Sequence, residues 1–116
     1  MNRLVIDDLR ILGLPGKTIY ARNLEQAFAA LAKRKKWDEV WLDHDLGMVD
    51  GREQDIWPIV GFFEQRAQYD PIQIANLYII TSNPVGAQRM KLALDNIGYS
   101  AMVLNARHVL EKVLPW

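Results

Sequence analysis

Hydrophobic positions along this chain alternate between two rhythms, short unbroken runs and runs spaced at three and four residues. Leu4-Val5-Ile6 is an unbroken run that stops at Asp7-Asp8. Leu14-Pro15-Gly16 signals a turn, and Lys17 to Ala21 reads as a second, weaker strand. Asn23 is a good N-cap, with Gln26 three residues on to complete a capping box. Behind it Leu24, Ala27, Phe28 and Leu31 fall on one helical face. That helix closes on Lys33-Arg34-Lys35-Lys36, cations that complement the negative end of its dipole. Glu39 to Leu42 predicts a third strand, and Asp50-Gly51 a turn. A second helix carries Ile56, Ile59, Val60, Phe63 and Ala67 on one face, with Asp55 as its cap and Pro58 in its first turn, where a missing N–H costs little. Leu77 to Ile80 is the best buried strand. Met90, Ala93, Leu94 and Ile97 mark a third helix that Gly98 stops. Ser100 to Leu104 is a last strand, and Val109, Leu110 and Val113 a short closing helix before Pro115.

Strands alternating with helices at this spacing predict a parallel sheet covered on both faces. Leu9 to Gly16 leaves room for about two helical turns at best. The expectation is therefore an α/β, three-layer domain over residues 1–116, with about five strands and four helices, the first helix short or missing. The 116 residues are enough for one core and leave little for a second. Fourteen basic residues balance fourteen acidic ones, so the formal net charge is zero, which argues against a protein that grips duplex DNA. With no cysteine, thiol catalysis, disulfides and cysteine-held metals are excluded. No signal peptide precedes the first strand and no apolar run reaches the ~18 residues of a membrane span, so a cytoplasmic protein without membrane contact is expected.

The candidate chemistry lies where strands end. In an open parallel sheet, ligands bind beyond the carboxyl ends of the strands. Three strands end there in polar groups: Asp7 and Asp8; Asp43, His44 and Asp45; Thr81, Ser82 and Asn83. In strand order 2-1-3-4-5 those three ends are neighbours. Carboxylates so crowded repel unless some protonate or share a cation, and Mg2+ or Mn2+ is the economical answer for oxygen ligands. The helix from Pro84 would aim free N–H groups at the same crevice, favouring a phosphate, although Asn83-Pro84 is also an ordinary cap and first-turn pair. His44 and His108 are the only histidines and lie in different surroundings, so zinc is not expected. Gly13 and Gly16 match neither phosphate-loop pattern. Trp41, Trp57 and Tyr78 read as core or rim.

Over almost the whole chain this layout resembles the receiver domain of response regulators, a flavodoxin-like fold. The resemblance implies that Asp8, second of the acidic pair, holds a metal, that Asp43 is the acceptor aspartate, and that Thr81 is the switch residue. Asp50-Gly51 follows Asp43 as the receiver turn does. Receivers carry a lysine after the fifth strand, whereas here Asn105-Ala106 stands there. Asp7-Asp8-Leu9-Arg10, the hexad Leu42-Asp43-His44-Asp45-Leu46-Gly47 and Thr81-Ser82-Asn83-Pro84 are similar to a divergent branch, the cyclic-phosphate processing receiver-like family, whose small members are common in phages.

The expected function is thus a metal-dependent phosphoesterase acting on cyclic or terminal phosphate, in a small molecule or at an RNA end. Asp43, His44 and Asp45 are the catalytic candidates, His44 as general acid or base. Asp7, Asp8 and Asp43 are the metal candidates, and Thr81, Ser82 and Asn83 the phosphate grip. Asp43 either attacks phosphorus or holds the metal while water attacks. The alternative is an atypical receiver that binds a protein partner through the helix from Pro84 and the last strand, with or without phosphorylation of Asp43. Strand alternation would point His44 away from Asp43 unless the chain has already left the strand.

Overall fold

The computed structural model describes residues 1–105. Its elements run β1 (Arg3–Ile6), β2 (Thr18–Ala21), α1 (Leu24–Lys33), β3 (Lys36–Leu42), β4 (Asp45–Val49), β5 (Arg52–Asp55), α2 (Trp57–Arg66), β6 (Gln73–Ile80), α3 (Pro84–Asn96) and β7 (Ala101–Leu104). Five strands make one parallel sheet in the order β2-β1-β3-β6-β7, the expected order once β4 and β5 are set aside. No helix lies between β1 and β2. The closing helix expected around Val109 to Val113 lies outside the described residues.

Register explains the layering. Leu4, Val40, Leu77 and Ala101 lie in one row across the sheet, and Ile6, Leu42, Ile79 and Val103 in the next. With a period of two, both rows face the same side. That side meets Ala27 and Leu31 of α1, Ile59, Val60 and Phe63 of α2, and Ala87, Met90 and Leu94 of α3 in one buried core. The alternate row, Tyr20, Val5, Trp41 and Tyr78, faces the other side, where Leu12 and Leu14 of the β1–β2 connection pack on it. Among the described residues the second face is thus covered by an irregular segment, not by the helices that a sheet covered on both sides led one to expect. Nothing between Leu9 and Gly16 has a helical apolar stripe long enough to replace it.

The local signals at α1 and α3 are realised. Asn23 Oδ1 accepts the Gln26 N–H at 2.9 Å, and Gln26 Oε1 accepts the Arg22 N–H at 2.7 Å. Asn83 Oδ1 accepts the Gly86 N–H at 2.9 Å. At α2 the cap residue is Ile56 instead of Asp55, whose Oδ1 accepts the Trp57 N–H at 3.0 Å. The basic run after α1 is divided: Lys33 ends the helix, Lys35 reaches Asp70 at 2.7 Å, and Lys36 begins β3.

The main departure is β4–β5, an antiparallel hairpin between the third sheet strand and α2. Asp50 and Gly51, at φ 51° and 76°, form its turn, both left-handed as a tight type I′ hairpin requires. No helix of the described residues is long and apolar enough to cross a membrane.

Candidate functional site

Two hydrogen bonds carry the ladder one residue past the strand ends. The Asp7 N–H donates to Ala21 O at 3.1 Å, and the Asp43 N–H to Ile6 O at 3.0 Å. Both aspartates are therefore held by the sheet, and both are buried. Asp7 also shapes the turn that follows it. Its Oδ1 accepts the N–H groups of Leu9 and Arg10 at 3.0 and 2.9 Å, the geometry by which a short acidic side chain closes a turn. Asp8 is half-buried, and among the described residues its carboxylate makes no hydrogen bond to the protein.

Arg10 returns from that turn into the cluster. Its Nη1 donates to Asp7 Oδ2 at 2.8 Å and to Asp43 Oδ2 at 3.0 Å. Burial works against the guanidinium's charge, but the hydrogen bonds and charges of Asp7 and Asp43 outweigh it and raise its pKa. Arg22 fixes the backbone of the same turn, donating from Nη1 to the carbonyls of Asp7 and Arg10 at 3.1 and 2.7 Å. Its own guanidinium lies 4.6 Å over the Tyr20 ring.

Asp43 is the strained member electrostatically. Burial, reinforced by the neighbouring charge of Asp7, pushes its pKa up to about 6. Hydrogen bonds from the Thr81 side chain and the Asp45 backbone, with the charge of Arg10, hold it from rising further. Asp7, Asp8 and Asp43 each offer one oxygen, and these lie within 4.8 Å of one another.

These groups line a crevice of about 340 Å3 at the carboxyl edge of the sheet, together with Leu9, Asp45, Gly47 and Ser82. The hairpin supplies its outer wall. Gly47 has φ 74°, and a Cβ there would lie 2.8 Å from Asp8 Oδ2, so only glycine lets the hairpin come this close without moving Asp8. A groove of similar volume, about 310 Å3, lies beside α1 against Ile19, Ala30 and Trp37 and is lined by no carboxylate among the described residues.

The family model for the Cyclic-phosphate processing Receiver domain matches residues 2–96, every element from β1 to the end of α3. The chain belongs to this family. No curated protein and no solved structure matches it.

In this receiver domain the sequence-predicted residues separate into two groups. Asp7, Asp8, Asp43, Asp45, Thr81 and Ser82 meet at the crevice: Thr81 through its hydrogen bond to Asp43, and the others as lining. His44 and Asn83 stand apart from it. His44 Nε2 accepts the Trp57 indole N–H at 3.2 Å, so the ring's own hydrogen sits on Nδ1, 2.9 Å from Asp45 Oδ1. The ring lies against Gly86, where a Cβ would come within 2.6 Å of it. Asn83 Oδ1 is spent on the α3 cap, so its part at the site is to fix the helix start. Arg22 was given no role from sequence, Trp57 was read as core or rim, and Arg10 was noted only as the last member of the Asp7-Asp8-Leu9-Arg10 motif. For Arg10 the only local signal is its position three residues after Asp7, since its second partner is 33 residues away.

The donor set suits a hard divalent cation. Its atoms are all carboxylate oxygens, they converge from two strands, and one of the three carboxylates is not otherwise engaged.

Proposed function

We propose that this domain is a divalent-metal-dependent phosphoesterase that binds cyclic or terminal phosphate esters in the crevice and hydrolyses them. The observation that carries the reading is the convergence of Asp7, Asp8 and Asp43, with ligand atoms within 4.8 Å, at the floor of a crevice that Ser82 also lines. Its family's description, cyclic-phosphate processing, names the same chemistry.

Asp8 and Asp43 hold the cation, Mg2+ or Mn2+, with Asp7 in support. Bound there, the ion supplies Lewis-acid polarisation of a phosphoryl oxygen and a more acidic water. Thr81 keeps the Asp43 carboxylate oriented by donating to it. The Ser82 hydroxyl donates to a phosphate oxygen. Asp45 faces the crevice and moves the proton at the leaving oxygen. His44 holds the Asp45 carboxylate through Nδ1–H, while Trp57 locks the ring from behind. The substrate is a phosphate-containing small molecule or an RNA end.

Phosphorus NMR with Mg2+ tests this directly, on 2′,3′-cyclic nucleotides, 3′,5′-cyclic nucleotides, a cyclic dinucleotide and acetyl phosphate, wild type beside Asp43→Asn. Metal-dependent opening of a cyclic ester, lost in the variant, is the expected result. Consumption of acetyl phosphate alone would instead indicate a receiver that accepts phosphate on Asp43. Unchanged signals throughout would contradict the proposal.

A second reading, docking of a protein partner through α3 and β7, draws on the exposure of Val85 and Leu92, two turns apart on α3, and of Met102 on β7. It predicts that Leu92→Glu abolishes such a complex and leaves ester hydrolysis intact.

A further inference from the structure

Among the described residues, Arg10 is the one cationic side chain lining the crevice. A single nitrogen, Nη1, lies 2.8 Å from Asp7 Oδ2 and 3.0 Å from Asp43 Oδ2. Asp7 and Asp43 are two of the three carboxylates whose oxygens converge for a cation. A small divalent ion such as Mg2+ draws one oxygen of each ligating carboxylate to about 2.0–2.1 Å. An ion held by these carboxylates would sit close to the guanidinium, and the two cations repel at close range in a partly desolvated site, so they compete for the cluster.

The side chain and its backbone are held independently. The Arg10 N–H is fixed by Asp7 Oδ1 and its carbonyl by Arg22, so the turn does not depend on where the guanidinium points. The side chain itself is 20% exposed, with the crevice in front of it. A guanidinium freed from carboxylates offers a planar fork of donors, which matches phosphate oxygens.

We propose that Arg10 is a displaceable counter-ion: it neutralises Asp7 and Asp43 in the metal-free protein, yields their oxygens to an incoming divalent cation, and turns its guanidinium onto the phosphate of the bound ester. The inference rests on the metal-dependent reading above and adds a phosphate-binding residue to it. Cation and arginine compete, whereas cation and phosphate cooperate.

Two titrations of the intact chain test this, Mn2+ into metal-free protein and inorganic phosphate into Mg2+-saturated protein. Arg10→Gln is expected to bind Mn2+ about tenfold more tightly, because a charge-repelling competitor is gone, and phosphate at least about tenfold more weakly. Arg10→Lys is expected to recover part of the phosphate affinity. A purely structural arginine predicts the opposite for the metal, with Arg10→Gln binding Mn2+ more weakly or not at all, and that result overturns the proposal. Equal Mn2+ affinity in wild type and variant overturns the proposal alone. Binding of Mn2+ by neither overturns the metal-dependent reading and this inference together. If Arg10→Gln does not fold, the wild type suffices: the Arg10 Nε–H resonance should shift on adding Mg2+ and again on adding phosphate. A resonance that ignores Mg2+ overturns the proposal.

Discussion

β1 and β3 run side by side, and each carries charge at both ends. At the amino end Arg3 lies directly across from Glu39. Two steps on, Val5 meets Trp41, and beyond the strand ends come Asp7 and Asp43, about 13 Å away at roughly 3.3 Å per residue. The amino-end pair is one cation to one anion. Arg3 Nε and Nη2 grip Glu39 at 3.0 and 3.4 Å, and Nη1 goes to Pro15 O and Thr18 Oγ1 at 2.8 and 3.2 Å. Glu39 Oε1 also accepts the Trp41 indole N–H at 2.9 Å. Burial alone would raise the Glu39 pKa, but the Arg3 and Trp41 hydrogen bonds and the Arg3 charge bring it below the ordinary value. At the carboxyl end, among the described residues, three carboxylates converge and one arginine pairs with two of them, Asp7 and Asp43, and Asp43 moves the other way, up to about 6. The same two strands thus carry a satisfied ion pair at one edge and a surplus of negative charge at the other. The first stabilises the fold. The second costs stability and is what a cation-binding site requires.

That contrast is broken most strongly at the amino edge. Glu39→Ala leaves the buried Arg3 without its counter-charge and should cost about 3–5 kcal/mol in denaturant unfolding, with Mg2+ binding unchanged. Loss of Mg2+ binding together with stability would mean the two edges are not separate. Gly47→Ala should come next, at about 1–2 kcal/mol, because the position is left-handed and its Cβ would press on Asp8. Unlike Glu39→Ala it should also weaken Mg2+ binding, which titration of the folded variant would reveal.

The smallest effect is in pH. For Asp43 the folded pKa lies above the unfolded one, so the folded state holds more protons between about pH 4 and 6 and stability falls as pH rises through that window. For Glu39 the folded pKa is lowered, so its contribution is present above the unfolded value and is lost as pH falls through the folded one. The metal-free protein should therefore be most stable near pH 4 and lose of order 1 kcal/mol by pH 7, after allowing for solvent screening. Asp43→Asn should flatten the decline from pH 4 to 7 and leave the acid limb in place. A profile identical to wild type would contradict the surplus-charge account.

How far the sequence revealed this depends on how local each signal was. Leu4-Val5-Ile6 and Leu77 to Ile80 declared their strands by unbroken apolar runs, and the acids behind Ile6 and Leu42 declared the acidic edge once the strand order was read. The β4–β5 hairpin was hidden because Arg52-Glu53-Gln54-Asp55 is polar throughout and mostly exposed, with no alternation to mark it as strand; only its Asp50-Gly51 turn was visible. Arg10 was visible as the end of the Asp7-Asp8-Leu9-Arg10 motif, but its pairing with Asp43 was not, since an ion pair across 33 residues leaves no trace in spacing. The alternation of strand side chains did warn that His44 would point away from Asp43, and in the structure it turns to Trp57.

The central claim is that the carboxyl edge bears charge in surplus to be met by a cation. Melting temperatures of wild type, Glu39→Ala and Asp43→Asn, each with and without Mg2+, test it most directly. The account predicts that Mg2+ raises the melting temperature of wild type and of Glu39→Ala by similar amounts. Asp43→Asn should start at or above the metal-free wild type and respond to Mg2+ hardly at all. An Asp43→Asn protein that melts below wild type and still gains stability from Mg2+ would contradict it.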